Sequence, residues 1–158
     1  MGANLKSSGE GLQRIAALAR ELKAKPVIRI GILSGQPADD ELSQAELGAI
    51  HEFGAPRAGI PERSFLRATA DLKRVEWMAL FERALRLAVA GRLTLDQAMG
   101  LVGQQAVADV VSRIRDGAGI PPPLQPATIA AKGSDRPLVD TGRLVQAISY
   151  EVKKGGPK

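Results

Sequence analysis

Apolar and polar positions alternate along this chain with several distinct periods. Leu12, Ile15, Ala16, Ala19 and Leu22 recur at helical spacing and stop before Pro26, which predicts an amphipathic helix. Ser7 and Glu10 have the spacing of a capping box at its start. Val27 to Leu33 (VIRIGIL) switches to period two, with Ile28, Ile30 and Ile32 on one face and Arg29 and Gly31 on the other, and predicts a strand. A polar loop, 34–43, leads to a short helical or irregular segment from Gln44 to Phe53.

From Ser64 to Ala90 the period is helical again, with Met78, Phe81, Leu85 and Ala88 as the stripe and Trp77 and Ala84 widening it. Gly91 suits the position just past a helix end. Thr94 and Gln97 form a second capping pattern, and Met99, Val102, Ala106, Val110 and Ile114 make the face of the helix that follows. Two long helices joined by so short a turn are expected to pack antiparallel. Gly117 to Pro126 is too proline-rich for helix or central strand. Pro126 to Lys132 suits one helical turn, and Asp140 or Thr141 suits the cap of another. Ile148, Tyr150 and Val152 alternate with polar residues, which predicts a closing strand.

The expected fold class is therefore α+β. A small mixed or antiparallel sheet from the N- and C-terminal strands, with further short strands not placed, packs with a long antiparallel helix pair. Residues 1–7 are expected to be disordered, 8–153 to form a single α+β domain, and 154–158 to be a basic flexible tail.

Composition narrows the chemistry. A chain of 158 residues buries roughly 70% of its unfolded surface and needs no covalent or metal staple. It has no Cys, which removes disulfides, thiolate zinc sites and a Cys nucleophile. No run of about 18 apolar residues predicts a membrane span, and MGANLKSSGE has no apolar core of a secretory signal, so synthesis in the cytoplasm is expected. The net charge of +5 comes from 22 basic and 17 acidic residues that are interspersed. With only one Trp, one Tyr and three Phe, the chain lacks the rings on which a single-strand binder stacks bases.

Candidate catalytic patterns fail on inspection. His51-Glu52 begins an H-E-x-x-H pattern, but Ala55 stands where the second imidazole is needed. Leu138 to Gly142 (LVDTG) carries the aspartic-protease signature, yet the sixteen residues after it cannot build the β-rich lobe which that chemistry requires. No phosphate-binding glycine loop occurs. No catalytic residue, metal or cofactor is expected, and the chain is read as a non-enzyme.

Four stretches remain: AELGAIHEFG, IPERSFLR, PPPLQPATIAAKG and PLVDTGRLVQAISYEV. In this order they resemble the small morphogenesis proteins of long-tailed bacteriophages, the tail-completion, neck or head–tail joining family. The match rests on Glu52, Phe53 and Gly54; on Ile60, Pro61, Arg63, Phe65 and Leu66; on Pro123, Leu124, Thr128 and Lys132; and on Pro137, Leu138, Asp140, Thr141, Gly142, Leu144, Ile148, Tyr150 and Val152. Ser64 stands where Pro is common and Ala147 where Ser is common. The resemblance covers about Val27 to Val152.

The resemblance implies a structural virion protein at the head–tail junction. It implies a ring of copies touching a tail terminator or tail-tube protein and a head-completion or connector protein, with DNA in the channel nearby. A tail terminator that stops tube growth is the alternative within the class, and a nucleic-acid-binding protein the alternative outside it. Loops 34–43, 54–62 and 117–126 are the expected contact segments. Physically, Phe65 and Leu66 would anchor the middle loop, Gly54 and Pro61 would shape it, and Arg63 would pair with Glu52 or with a neighbouring subunit.

Overall fold

The computed structural model describes residues 5–33, 42–117, 120–133, 138 and 142–155, the side chains of 5–8, 131 and 132 excepted. In chain order it runs α1 (Leu5–Lys23), β1 (Val27–Ile32), α2 (Gln44–Phe53), a 3-10 turn (Pro56–Ala58), α3 (Leu66–Val89), α4 (Leu95–Asp116), α5 (Pro126–Lys132), α6 (Arg143–Ala147) and β2 (Ile148–Lys153). Strands β1 and β2 pair antiparallel, and α3 packs on α4, so the α+β class expected from the pattern is the class observed. Among the described residues the sheet has two strands, and the expected additional strands are not found in it.

The turn between α3 and α4 is built from its own sequence. Gly91 adopts φ 74°, and the N–H groups of Gly91 and Arg92 donate to the carbonyls of Ala88 and Leu87. That double closure satisfies carbonyls which the helix end leaves over, and positive φ costs Gly little. Three residues later Thr94 and Gln97 exchange side chain for backbone: the Thr94 N–H donates to Gln97 Oε1 at 2.8 Å and the Gln97 N–H to Thr94 Oγ1 at 3.1 Å.

The described chain divides into two compact units; α3 and α4 contribute to both, whereas α1 belongs to one. In the unit formed by 5–29, 75–105 and 151–155, Leu18, Ala88, Leu95 and Met99 are buried together, with Ile28, Phe81, Leu85, Leu93 and Val152 around them. In the unit formed by 30–74 and 106–150, the core is Phe65, Val110, Ile114, Ile120, Leu138, Leu144 and Ile148, flanked by Ile32, Leu66, Val107, Val111 and Val145.

Three expectations change. The helix α1 begins at Leu5, so the Ser7–Glu10 pair falls inside it rather than at its cap. Its strongest apolar face is not its packing face: Leu12 is 69% exposed and Ile15 49%, while Leu18 is buried. On α3, Met78 points outward at 62% exposure, and the packed side runs through Phe81, Ala84, Leu85 and Ala88. By contrast, all five residues of the predicted α4 face are buried.

Candidate functional site: a pinned loop between two helices

Residues 52–67 join the end of α2 to the start of α3. Helix α2 starts on a capping box, with the Ser43 hydroxyl accepting the Glu46 N–H while Glu46 accepts the Ser43 N–H. It ends at Gly54, whose φ of 72° with ψ of 170° is a conformation open to glycine almost alone. Any Cβ there would lie 2.8 Å from the Glu62 backbone nitrogen. The loop then closes on itself: Ala55 and Ile60 form an antiparallel bridge, and Gly59, at φ 68°, returns its N–H to the Pro56 carbonyl.

Glu52 ties this loop to α3. Its side chain is 4% exposed. One carboxylate oxygen accepts the backbone N–H of Phe65 at 2.8 Å and of Leu66 at 2.9 Å. The other accepts the Arg67 N–H at 3.0 Å and the Ser64 hydroxyl at 2.7 Å. A helix N-terminus presents unpaired donors and the positive end of the helix dipole, and a carboxylate answers both. Burial acts to raise the Glu52 pKa, but the hydrogen bonds from Leu66, Arg67, Ser64 and Phe65 outweigh it and hold the carboxyl below its ordinary 4.5.

Arg67 completes the clamp. Its guanidinium donates to Glu52 Oε1 at 3.0 Å, to the Glu52 carbonyl at 3.0 Å and to Glu62 at 2.7 Å, and it lies 4.7 Å from the centroid of the Phe53 ring. The Arg63 N–H donates to the His51 carbonyl at 2.7 Å, so both limbs of the loop are fastened. Phe65 is fully buried, and Leu66 packs against the same core cluster. Outside the clamp, Phe53 is 60% exposed, and Pro56, Arg57, Ala58, Gly59, Pro61 and Glu62 are exposed.

The remaining motif residues fall around this loop in part. The expected pairing of Arg63 with Glu52 is not formed. The N-terminus of α3 and Arg67 occupy that carboxylate, and Arg63 Nε donates instead to the Pro122 carbonyl at 3.3 Å. That bond links the loop to the proline segment holding Pro123, which is exposed, and Leu124, which is half-buried. Gly142 is the N-cap residue of α6, and α6 packs on α2, where Leu144 lies 3.7 Å from the Cβ position of Gly48. Asp140, Thr141 and Pro137, and loop residues 34–41, lie outside the described residues.

Sequence reasoning did not find Ser64 or Arg67 as partners of Glu52, nor Glu62 as the second partner of Arg67. A signal existed. The first turn of α3 holds no acidic residue of its own, and a carboxylate directly before a Gly-Pro loop is placed to supply one. A second feature of the same unit is a groove of about 360 Å³ lined by Thr69, Leu72, Lys73, Asp109, Ser112, Arg113 and Asp116. Both signs of charge sit side by side in it. Among the described residues no group of three or more His, Asp or Glu side chains converges as a metal site, and no helix is long and apolar enough to cross a membrane.

The chain matches no protein-family profile, no curated protein and no solved structure.

Proposed function

We propose that this chain is a structural, non-catalytic protein of a long-tailed bacteriophage virion. It completes the tail at its head-proximal end and joins it to the filled head as a ring of copies. Its neighbours in this reading are a tail terminator or tail-tube protein on one side and a head-completion or connector protein on the other, with DNA passing nearby through the channel.

The observation that carries the reading is the pinned loop. The two motif stretches HEFG and IPERSFLR form one device: Glu52 and Arg67 hold the base of 54–62 rigid while Phe53, Pro56, Arg57 and Pro61 stay exposed at its surface. A loop fastened in this way loses little conformational freedom when a partner covers it, so it suits binding to another protein. The order of the four sequence stretches supports the particular family, and the modest positive charge is compatible with a DNA channel.

Electron microscopy of lysates from a phage or prophage deleted for this gene tests the proposal. Full heads beside separate tails of normal length are expected. Tails of uncontrolled length would make the protein a tail terminator instead. Intact infectious particles would remove both roles.

A further inference from the structure

The 22 basic and 17 acidic residues are mixed along the chain, but the fold sorts them. One unit takes residues 1–29, 75–105 and 151–158, and these ranges hold twelve Lys and Arg against six Asp and Glu. The other takes 30–74 and 106–150, which hold ten against eleven. The positive excess of the protein therefore belongs to the first unit alone. Even with each of its six carboxylates neutralised by a cation, six cations are left over.

Contacts within that unit join several of its cations into a band. Arg29 and Lys153 share one oxygen of Glu151, at 2.9 and 3.3 Å. They stand on the face of the β1–β2 pair away from Ile28 and Val152, which pack on the core. The next residue, Lys154, reaches Asp96 in the first turn of α4 at 3.5 Å. Four residues before Asp96 is Arg92, in the turn where the Arg14 guanidinium lies against Gly91. Arg29, Arg92, Lys153 and Lys154 are exposed, and two carboxylates, Asp96 and Glu151, lie among these five cations. Of the unit's other acids, Glu82 holds Arg86 at 3.0 Å, Glu76 is not free, and Glu10 and Glu21 are on α1. The unit has two aromatic residues; Phe81 packs against the core and Trp77 is half-buried.

We infer that this band, Arg14, Arg29, Arg92, Lys153 and Lys154, is the surface that contacts the phosphate backbone of duplex DNA. Exposed cations in excess of their carboxylates bind a duplex by displacing its condensed counterions, with no need of base contacts. A protein partner would call for an apolar centre ringed by polar groups, and the band has none. A single strand would call for exposed rings on which bases stack, and the unit offers none. The pinned loop belongs to the other unit, whose charges nearly cancel. Protein contact and DNA contact thus fall to different units of one chain. The inference rests on the junction role proposed above, in which DNA passes beside the protein, and adds which residues face it.

Fluorescence anisotropy of a labelled random-sequence duplex titrated with the full chain tests it. With four phosphate contacts, affinity should fall about hundredfold between roughly 50 and 200 mM salt. Lys153→Gln with Lys154→Gln should weaken binding and reduce the salt slope by about 2. Arg57→Gln with Arg115→Gln removes the same charge from the other unit and should leave both nearly unchanged. Glu151→Gln frees Arg29 and Lys153 and should tighten binding severalfold, which a damaged fold would not do. Circular dichroism checks the helix content of each variant. No binding at the lower salt overturns the inference, and so does equal loss from the two double variants. Binding of poly-glutamate at a salt concentration that releases the duplex would make the partner an acidic protein and also overturn it. Absent duplex binding with separated heads and tails in the deletion phage would remove the inference and leave the proposed function. Duplex binding through the band with infectious deletion phage would do the reverse.

Discussion

The Glu52 carboxylate accepts the backbone N–H of Phe65 at 2.8 Å, although the two residues are thirteen positions apart in the chain. The end of one helix thus caps the beginning of the next. Glu52→Ala strands donors at the start of α3 and releases Arg67. It is expected to lower the unfolding free energy by about 2–3 kcal/mol, as charged hydrogen bonds of this kind do. Glu52→Gln keeps an acceptor and loses less. Urea unfolding of the three chains checks the order.

Acid should weaken the fold through the same group. The folded-state pKa of Glu52 lies below the unfolded value near 4.5. Its contribution is therefore fully present above that value and is lost as pH falls through the folded pKa, because the unfolded chain then binds more protons. Stability measured from pH 6 downward should drop below about 4.5, and the drop should be smaller in Glu52→Gln. Equal slopes in the two chains would show that other carboxylates govern acid unfolding.

Phe65 is fully buried within the core of its unit. Phe65→Ala removes a ring from packed surroundings and is expected to cost about 3–5 kcal/mol. A thermal midpoint unchanged from the parent would contradict that placement.

These sites show what the sequence could and could not disclose. The face of α4 was legible because Met99 to Ile114 keep a strict spacing and one helix settles where they point. The turn before it was legible because Gly91, Thr94 and Gln97 act on neighbours within three to five residues. Glu52 was visible as a motif residue but not as a cap, since its partners arrive from beyond a loop. The packing side of α1 was misread for a related reason. Amphipathicity states which face is apolar, not which partner is at hand, and Leu18 found the core while Leu12 and Ile15 did not. The Ser43–Glu46 capping box was readable and went unread.

The Thr94–Gln97 exchange sits at an exposed helix start. Thr94→Ala removes the side-chain acceptor and should destabilise by about 1 kcal/mol. Thr94→Ser should restore most of it in the same denaturation experiment.

Two loop glycines should differ in how well they tolerate a side chain. Gly54→Ala places a Cβ 2.8 Å from the Glu62 nitrogen and 3.0 Å from the Ile60 carbonyl oxygen, at a φ/ψ pair that other residues avoid. A loss of about 2–3 kcal/mol is expected. Gly59 has φ 68° and ψ 17° with nothing within 4 Å of its Cβ position. Asn tolerates that conformation, so Gly59→Asn should change stability by less than about 0.5 kcal/mol. Chemical denaturation of both variants decides it.

The pairing of β1 with β2 sets an order of events during synthesis. The Ser149 hydroxyl donates to the Gly31 carbonyl across a separation of 118 residues. Closing a loop of that length costs on the order of 4 kcal/mol in chain entropy. The hairpin of α3 and α4, by contrast, needs only neighbours. A ribosome therefore releases β1 long before its partner strand exists, and the growing chain carries an open strand edge until β2 is made. Strand β2 then covers that edge. A stop codon before Ile148 would leave it bare, and the shortened product should accumulate as aggregate rather than as a weaker version of the same protein.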